Sequence, residues 1–499
     1  MTQVVTESTV EAHELERFLR PRDGFVLEKP TGDGRFGVEE GPVSEYERTV
    51  TLQPLADGRV RVVEQVDFVL AIPYFAWMFV WAVKREVARG GENGRNAWWA
   101  PAVRLDARAA SILGTLAMVA IVLGWLNTMF DETIAFAADE FGAGNRAQGV
   151  AGAAVRLGGM LAFAVLAGAD RRGRRKTLIE ATVLGCALTA IGAFSPSLPW
   201  LTASQVLGRG FAQAMLVMLG IIVVEEMPAG ARAYTLSLLT LAAGLGAGGP
   251  TIALKLADLG RRAWRLIYLL SALFLLIVPG IARRLPESRR FERRTDVAFK
   301  GHGYRLSLLA ASLFLVNLSI APSSQFTNRF LKHERGYNGG RIALLNVVTG
   351  TPAALGVVVG GRLADVRGRR VVAAVALALG TVLSVAFFFT RGWAMWAWTL
   401  AGNVVFAASI PALLVYGPEL FPTSLRGRAN GAITVIGLVG SAVGLVVAGV
   451  LAQHFGHIGP GIAVVAVGPL ALAVILLAAY PETARRELEE INPKDLPPD

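Results

Sequence analysis

Little in this sequence supports metal, redox or soluble-enzyme chemistry. It holds one cysteine, Cys186, which has no partner for an intramolecular disulfide. Its five histidines form no Cys/His cluster with the spacing of a zinc, haem or iron–sulfur ligand set; His454 and His457 read as residues of a loop between spans. Charge is scarce too, 17% of 499 residues, where soluble domains carry about a quarter. No phosphate loop, nucleophile elbow or metal triad supports an enzyme. Gly244, Gly246 and Gly249 fit the Gly-x-Gly-x-x-Gly pattern, but no strand precedes them, so dinucleotide binding is excluded. Neither a metal nor a cofactor is expected. Met1 to Arg20 lacks the basic, apolar, small-residue order of a secretory signal, so no cleaved leader is expected.

What abounds is apolar residue, 53%, with a mean hydropathy of +0.49. From about 110 to 480 apolar stretches recur at 110–137, 147–169, 177–195, 199–223, 233–256, 265–283, 305–328, 341–362, 371–390, 393–417, 428–453 and 459–480. Backbone groups find no water in lipid, so each must be a helix, and the reading is an all-α membrane protein of twelve spans. The net charge of +11 fits arginines beside lipid head groups, with no nucleic-acid partner expected. Twenty basic residues fall in one set of loops, from Arg171 to Arg428, and ten in the other, from Arg146 to Arg391. That bias places the first set and both termini in the cytoplasm of a plasma-membrane protein.

Residues 1–105 form a separate cytoplasmic extension. Alternation on either side of Asp57-Gly58 predicts a β-hairpin over about 46–68. The aromatic, uncharged run from Phe68 to Val83, broken by Pro73, is short for a span and reads as an interfacial helix over about 68–85, with a further span as the alternative.

Three landmarks occur twice. Asp170-Arg171-Arg-Gly173-Arg174-Arg175 returns 195 residues on as Asp365-Val-Arg-Gly368-Arg369-Arg370; Glu225 to Arg232 returns as Glu419 to Arg426; Pro286-Glu-Ser returns as Pro481-Glu-Thr. The spacing defines two six-helix bundles, 106–283 and 305–480, joined by a linker, 284–304, and followed by a tail, 481–499. Paired bundles rocking about a midplane site are how secondary carriers alternate access. The repeated acidic and basic residues, with Gly361 at the head of the second loop signature, read as a cytoplasmic gate rather than as plain topogenic charge.

These residues resemble the major facilitator superfamily. Gly361-Arg-Leu-Ala-Asp365-Val-Arg-Gly368-Arg-Arg looks like its loop signature in full, while the first copy has Leu166 in place of the leading glycine. Gly208-Arg209, Trp264-Arg265, Pro286-Glu-Ser, Tyr416 to Gly427 and Pro481 to Glu490 are similar to the sugar-porter and organic-ion branch, so the resemblance covers about 106–491.

Ionisable groups within spans cost several kcal/mol and are functional candidates. Arg156 has nine uncharged residues before it and thirteen after, so it lies within the second span. Arg209, in the fourth, stands roughly 24 Å of helix from Glu225. Asp131 and Glu132 follow twenty-two uncharged residues of the first span. The repeat places Phe326 and Thr327 opposite these acids, Thr351 opposite Arg156 and Asn403 opposite Arg209, so the charges belong to one bundle. The resemblance implies a protonatable carboxylate, Asp131, released from Arg209 during the cycle; a fixed ion pair bracing the spans is the alternative. Arg156 reads either as a donor to a substrate carboxylate or as a partner for Asp131 or Glu132.

Asn317, Gln325, Asn346 and Asn403 are the candidate substrate ligands beside Arg156. The glutamine-rich seventh span of hexose porters is missing, since Leu315 to Gln325 carries only Asn317 and Gln325, and Asn317-Leu-Ser319 sits in a span where a glycosylation sequon is inert. The expected function is therefore proton-coupled uptake of a small organic anion or metabolite, by a monomer whose partners are substrate, protons and lipid. Drug or metabolite efflux by proton antiport, sugar:proton symport and a non-transporting receptor are the alternatives. Ordinary packing by small residues accounts for Gly244 to Pro250 better than an antiporter signature does.

Overall fold

The computed structural model describes residues 1–56, 59–89, 100–101, 103–228, 231–287, 303–420 and 426–482. Its amino-terminal part is larger than the expected hairpin. Strands β1 (Thr2–Val10), β2 (Leu27–Gly32), β3 (Arg35–Glu40), β4 (Val43–Pro54) and β5 (Val60–Leu70) form one antiparallel sheet in the order β1-β5-β4-β3-β2. The hairpin is β4–β5, flanked by β1 and β3. The other strands hold too few apolar residues for alternation to show, and the sheet buries charge as well as apolar side chains. Arg48, fully buried, pairs with Glu28 at 2.7 Å and Glu64 at 2.9 Å and donates to the carbonyls of Phe18 and Arg20. Burial, then the Glu28 carboxylate that accepts its proton at 2.6 Å, holds the Tyr46 hydroxyl well above its ordinary range. β2 carries Pro30 and lies at an edge, where a missing N–H is tolerated.

Helix α1 (Ala76–Ala88) follows. It starts later than expected because Phe68 to Leu70 complete β5, and Pro73 and Tyr74 turn the chain. Tyr74, at φ 66, is the only non-glycine residue with positive φ among those described. Ala76, Val80, Val83 and Val87 pack on the sheet, while Trp77 and Trp81 stay 75% and 70% exposed, as an interfacial helix requires. The extension meets the spans where Pro73 abuts Gly114 and Tyr74 abuts Gly280, both in the first bundle.

Twelve helices are long and apolar enough to cross a membrane. The first bundle holds α2 (Ala107–Glu140), α3 (Asn145–Leu166), α4 (Arg174–Phe194), α5 (Leu198–Val223), α6 (Tyr234–Leu259) and α7 (Trp264–Arg284). The second holds α8 (Gly303–His333), α9 (Gly339–Ala364), α10 (Arg369–Phe389), α11 (Gly392–Leu413), α12 (Gly431–Phe455) and α13 (Ile458–Ala479). Each lies within a few residues of its expected place.

The duplication is visible in packing. α2 crosses α6 where a methyl on Gly246 would overlap the carbonyl of Ile121, and α8 crosses α12 where one on Gly440 would overlap that of Phe314. Close backbone approach through small residues is how helices associate when lipid removes the hydrophobic drive. The Gly244 to Pro250 run thus serves the α2–α6 crossing, with Gly249 against the Trp125 ring. The second span of each bundle is also interrupted at nearly equivalent places, α3 after Gly158 and α9 after Gly350.

Candidate functional site

The ionised groups singled out deep within the spans, Asp131, Arg156 and Arg209, come from three helices of the first bundle. Asp131 on α2, 8% exposed, forms an ion pair and hydrogen bond with Arg156 on α3. Arg209 on α5, 9% exposed, instead donates to the backbone carbonyl of Asn127, one turn before Asp131. The sequence reading gives Asp131 to Arg209; the structure gives it to Arg156. Arg209 reaches the preceding turn of α2, leaving the carboxylate to the guanidinium on α3. Two arginines against one aspartate leave this cluster with one surplus positive charge while Asp131 is ionised.

Glu132 points elsewhere. Its carboxylate accepts from Thr251 of α6 at 3.0 Å and from the Asn328 amide of α8 at 2.7 Å, and the same amide reaches the Glu132 carbonyl at 2.9 Å. Asn346 of α9 donates to Asn328 at 3.1 Å. Glu132 thus joins the bundles rather than the Asp131 cluster.

The candidate substrate ligands do not converge on Arg156. Asn317 donates to Leu313 of its own helix at 2.9 Å. Gln325 donates across the bundles to the Gln148 carbonyl at 2.9 Å and lies against Gly152. Asn346 belongs to the Glu132 network. Asn403, donating to Thr349 at 3.2 Å, lines a cavity of about 440 Å³ among α8, α9, α10 and α11. Ser319, Ser323, Ser324, Thr327, Ser384 and Thr399 also line it, with Phe387, Phe388 and Phe406, and no charged residue does. Asn403 stands at the repeat position of Arg209 and Thr327 at that of Glu132, whereas Phe326 and Thr351, at those of Asp131 and Arg156, are not in its lining. The serines carry no charge, and a search for charges within spans passes over them.

At the end remote from the arginine-rich loops the bundles are joined by many polar contacts. Asp139 of α2 meets Arg329 at 3.7 Å, Lys332, and His333 at 2.7 Å, all on α8. Arg329 also donates to the side chains of Asn145 and of Gln148, the latter at 3.1 Å. Asp258 of α6 accepts from the Gly339 and Gly340 amides at 2.6 and 2.9 Å, capping α9.

The arginine-rich end differs. Glu287, after α7, accepts from the backbone amides of Arg174 and Arg175 at 2.8 and 3.2 Å; Glu482, after α13, does the same for Arg369 and Arg370 at 2.9 and 3.3 Å. Gly173 and Gly368, at φ 94 and 101, turn the chain so that each acid sits on a helix amino terminus. Arg174 pairs with Glu225 at 2.8 Å, Arg175 donates to the Ala282 carbonyl, and Arg232 to that of Met227. Gly361 faces Pro411 at 3.6 Å. Each of these named contacts joins residues of one bundle, and the residues expected to gate the cytoplasmic end stand at that end beside them. The side chains of Asp170, Arg171, Asp365, Glu419 and Arg426 lie outside the described residues.

Two matched bundles of six helices, each helix long and apolar enough to cross a membrane, are the architecture of a multi-pass membrane transporter. The profile of the Major Facilitator Superfamily matches residues 114–322 and again 306–497, and the chain belongs to that superfamily. Among solved structures it is similar to the xylose transporter XylE from E. coli in an inward open conformation, at 17% identity and a TM-score of 0.64 over 77% of this chain and 99% of that one. A bacterial homolog of the human lysosomal transporter Spinster, inward-facing and unoccupied, is similar at 16% identity and a TM-score of 0.59, over 77% and 97% of the two chains. The nucleoside transporter NupG is similar at 11% and 0.62, over 74% and 100%. At these identities the likeness establishes the fold. No curated protein matches the sequence.

Proposed function

We propose that the protein is a secondary active transporter that takes up a small organic anion with protons across the plasma membrane. The observation that carries this reading is the Asp131–Arg156 pair beside Arg209. A proton on Asp131 removes the charge that holds Arg156 and frees its guanidinium for a substrate carboxylate, which it can grip through two parallel N–H donors. Protonation raises the cluster's surplus from one positive charge to two, so a carboxylate binds best when the proton is already there. Burial of both charges without their partner is costly, and this couples the two cargoes. Asn403 and the hydroxyls around it would receive the rest of the substrate.

The two-to-one bias of basic residues supports placing the arginine-rich end and both termini in the cytoplasm. The contacts at the opposite end then belong to an inward-facing state, and Glu132 acts as a latch of that state rather than as the proton carrier. The chain acts as a monomer, each copy holding both bundles. In proteoliposomes, Asp131→Asn is expected to abolish accumulation driven by a pH gradient while leaving counterflow; an unaltered gradient response overturns the proposal.

Sugar:proton symport is the second reading, favoured by the uncharged, hydroxyl-lined cavity. An uptake screen of labelled acids and sugars across a pH gradient separates the two: acids inhibited by other carboxylates support the first, sugars the second.

A further inference from the structure

A second cavity, of about 280 Å³, lies outside the transport path, between the extension and the first bundle. Its walls are Phe75 and Phe79 of α1, Leu113 and Ala117 of α2, and Leu241 and Leu245 of α6. The lining is almost wholly apolar. α2 contributes from Ala110 to Ile121 and α6 from Tyr234 to Leu245, so the cavity follows each helix for roughly 16 Å at 1.5 Å per residue. That is about half of a ~30 Å hydrocarbon core, the depth of a single leaflet. Leu241 and Leu245 are 66% and 70% exposed on the rim, so the cavity is continuous with the surroundings of the spans.

On α1 the two residues that follow Val83, part of its wall, are cationic. Lys84 and Arg85 on α1 are exposed and form no ion pair among the described residues, and Arg104 lines the cavity while held by Asp23 and the Gly24 carbonyl. Trp77 and Trp81 beside them mark the depth of the head groups. We propose that this cavity binds one acyl chain of an anionic phospholipid, with the head group at Lys84 and Arg85. The two cations beside the Val83 wall select the anionic lipid, and the apolar length selects a chain over water or a polar solute. The site serves to seat the extension on α2 and α6 and rests on neither the identity of the substrate nor proton coupling.

The test uses the full chain in detergent, titrated with phosphatidylglycerol or phosphatidylcholine and followed by native mass spectrometry. Tight retention of one phosphatidylglycerol is expected. Ala117→Trp, which fills the cavity, should abolish it. The double change Lys84→Gln with Arg85→Gln should weaken phosphatidylglycerol by about fivefold for each cation removed and leave phosphatidylcholine unaltered. Equal binding of the two lipids, or retention unaffected by Ala117→Trp in folded protein, overturns the proposal. Should Ala117→Trp fail to fold, the double variant decides: a lost preference for the anionic lipid supports the site and an intact one refutes it.

Discussion

Glu132 of the first bundle and Asn328 of the second are joined twice, through a side-chain bond of 2.7 Å and a bond of the same amide to the Glu132 carbonyl at 2.9 Å. The residue next to the proposed proton site therefore reports directly on whether the bundles are together at that end. Side-chain hydrogen bonds contribute about 0.5–1.5 kcal/mol each net. Glu132→Ala is expected to raise the population open at the Asp139 end by about tenfold. Spin labels at Arg146 and Arg341, one on each bundle, should show a longer interlabel distance by double electron–electron resonance. An unaltered distribution removes Glu132 from the latch.

Arg156→Lys keeps the charge but not the planar fork. If Arg156 grips a carboxylate once Asp131 is protonated, kcat/KM for an anionic substrate should fall by about 10- to 100-fold with folding intact, the loss of one charged hydrogen bond. A neutral sugar that does not depend on the fork should show a much smaller change, so the same variant separates the two readings of the substrate.

Glu287 and Glu482 act on helix amino termini inside their own bundles. Alanine at either should lower stability by about 1 kcal/mol, the usual cost of a lost cap. The thermal midpoint falls, while the interlabel distance at the Asp139 end stays as it was. A shift in that distance would give these acids a part in the movement of the bundles.

The amino-terminal sheet carries a pH signature of its own. Tyr46 loses its proton less readily folded than unfolded, because it is buried against Glu28. Its contribution is complete below pH 10, the ordinary value, and is lost as pH rises above that toward the folded value. Denaturation of the sheet followed by tryptophan emission should show stability declining above about pH 10, and Tyr46→Phe should flatten that decline.

What sequence made legible here follows from which forces leave a periodic or repeated trace. Lipid imposes a fixed apolar length, so all twelve spans and their duplication could be read directly. The pairing of Asp131 stayed open between Arg209 and Arg156: both face α2, and the choice depends on one turn of helix offset. Asn328, Gln148 and Thr251 were missed because a search for charges within spans passes over amides and hydroxyls, although these carry the contacts between bundles. The strands around β4 and β5 were missed because β1, β2 and β3 hold too few apolar residues for alternation to show, and β2 adds Pro30 and a buried Glu28.

Tyr74, held in a left-handed backbone conformation against Gly280, fastens the sheet to the first bundle. When that bundle tilts, the sheet must travel with it as a rigid pointer. A fluorophore on an exposed strand would then register each turnover from outside the bilayer, with every group that handles cargo left unlabelled.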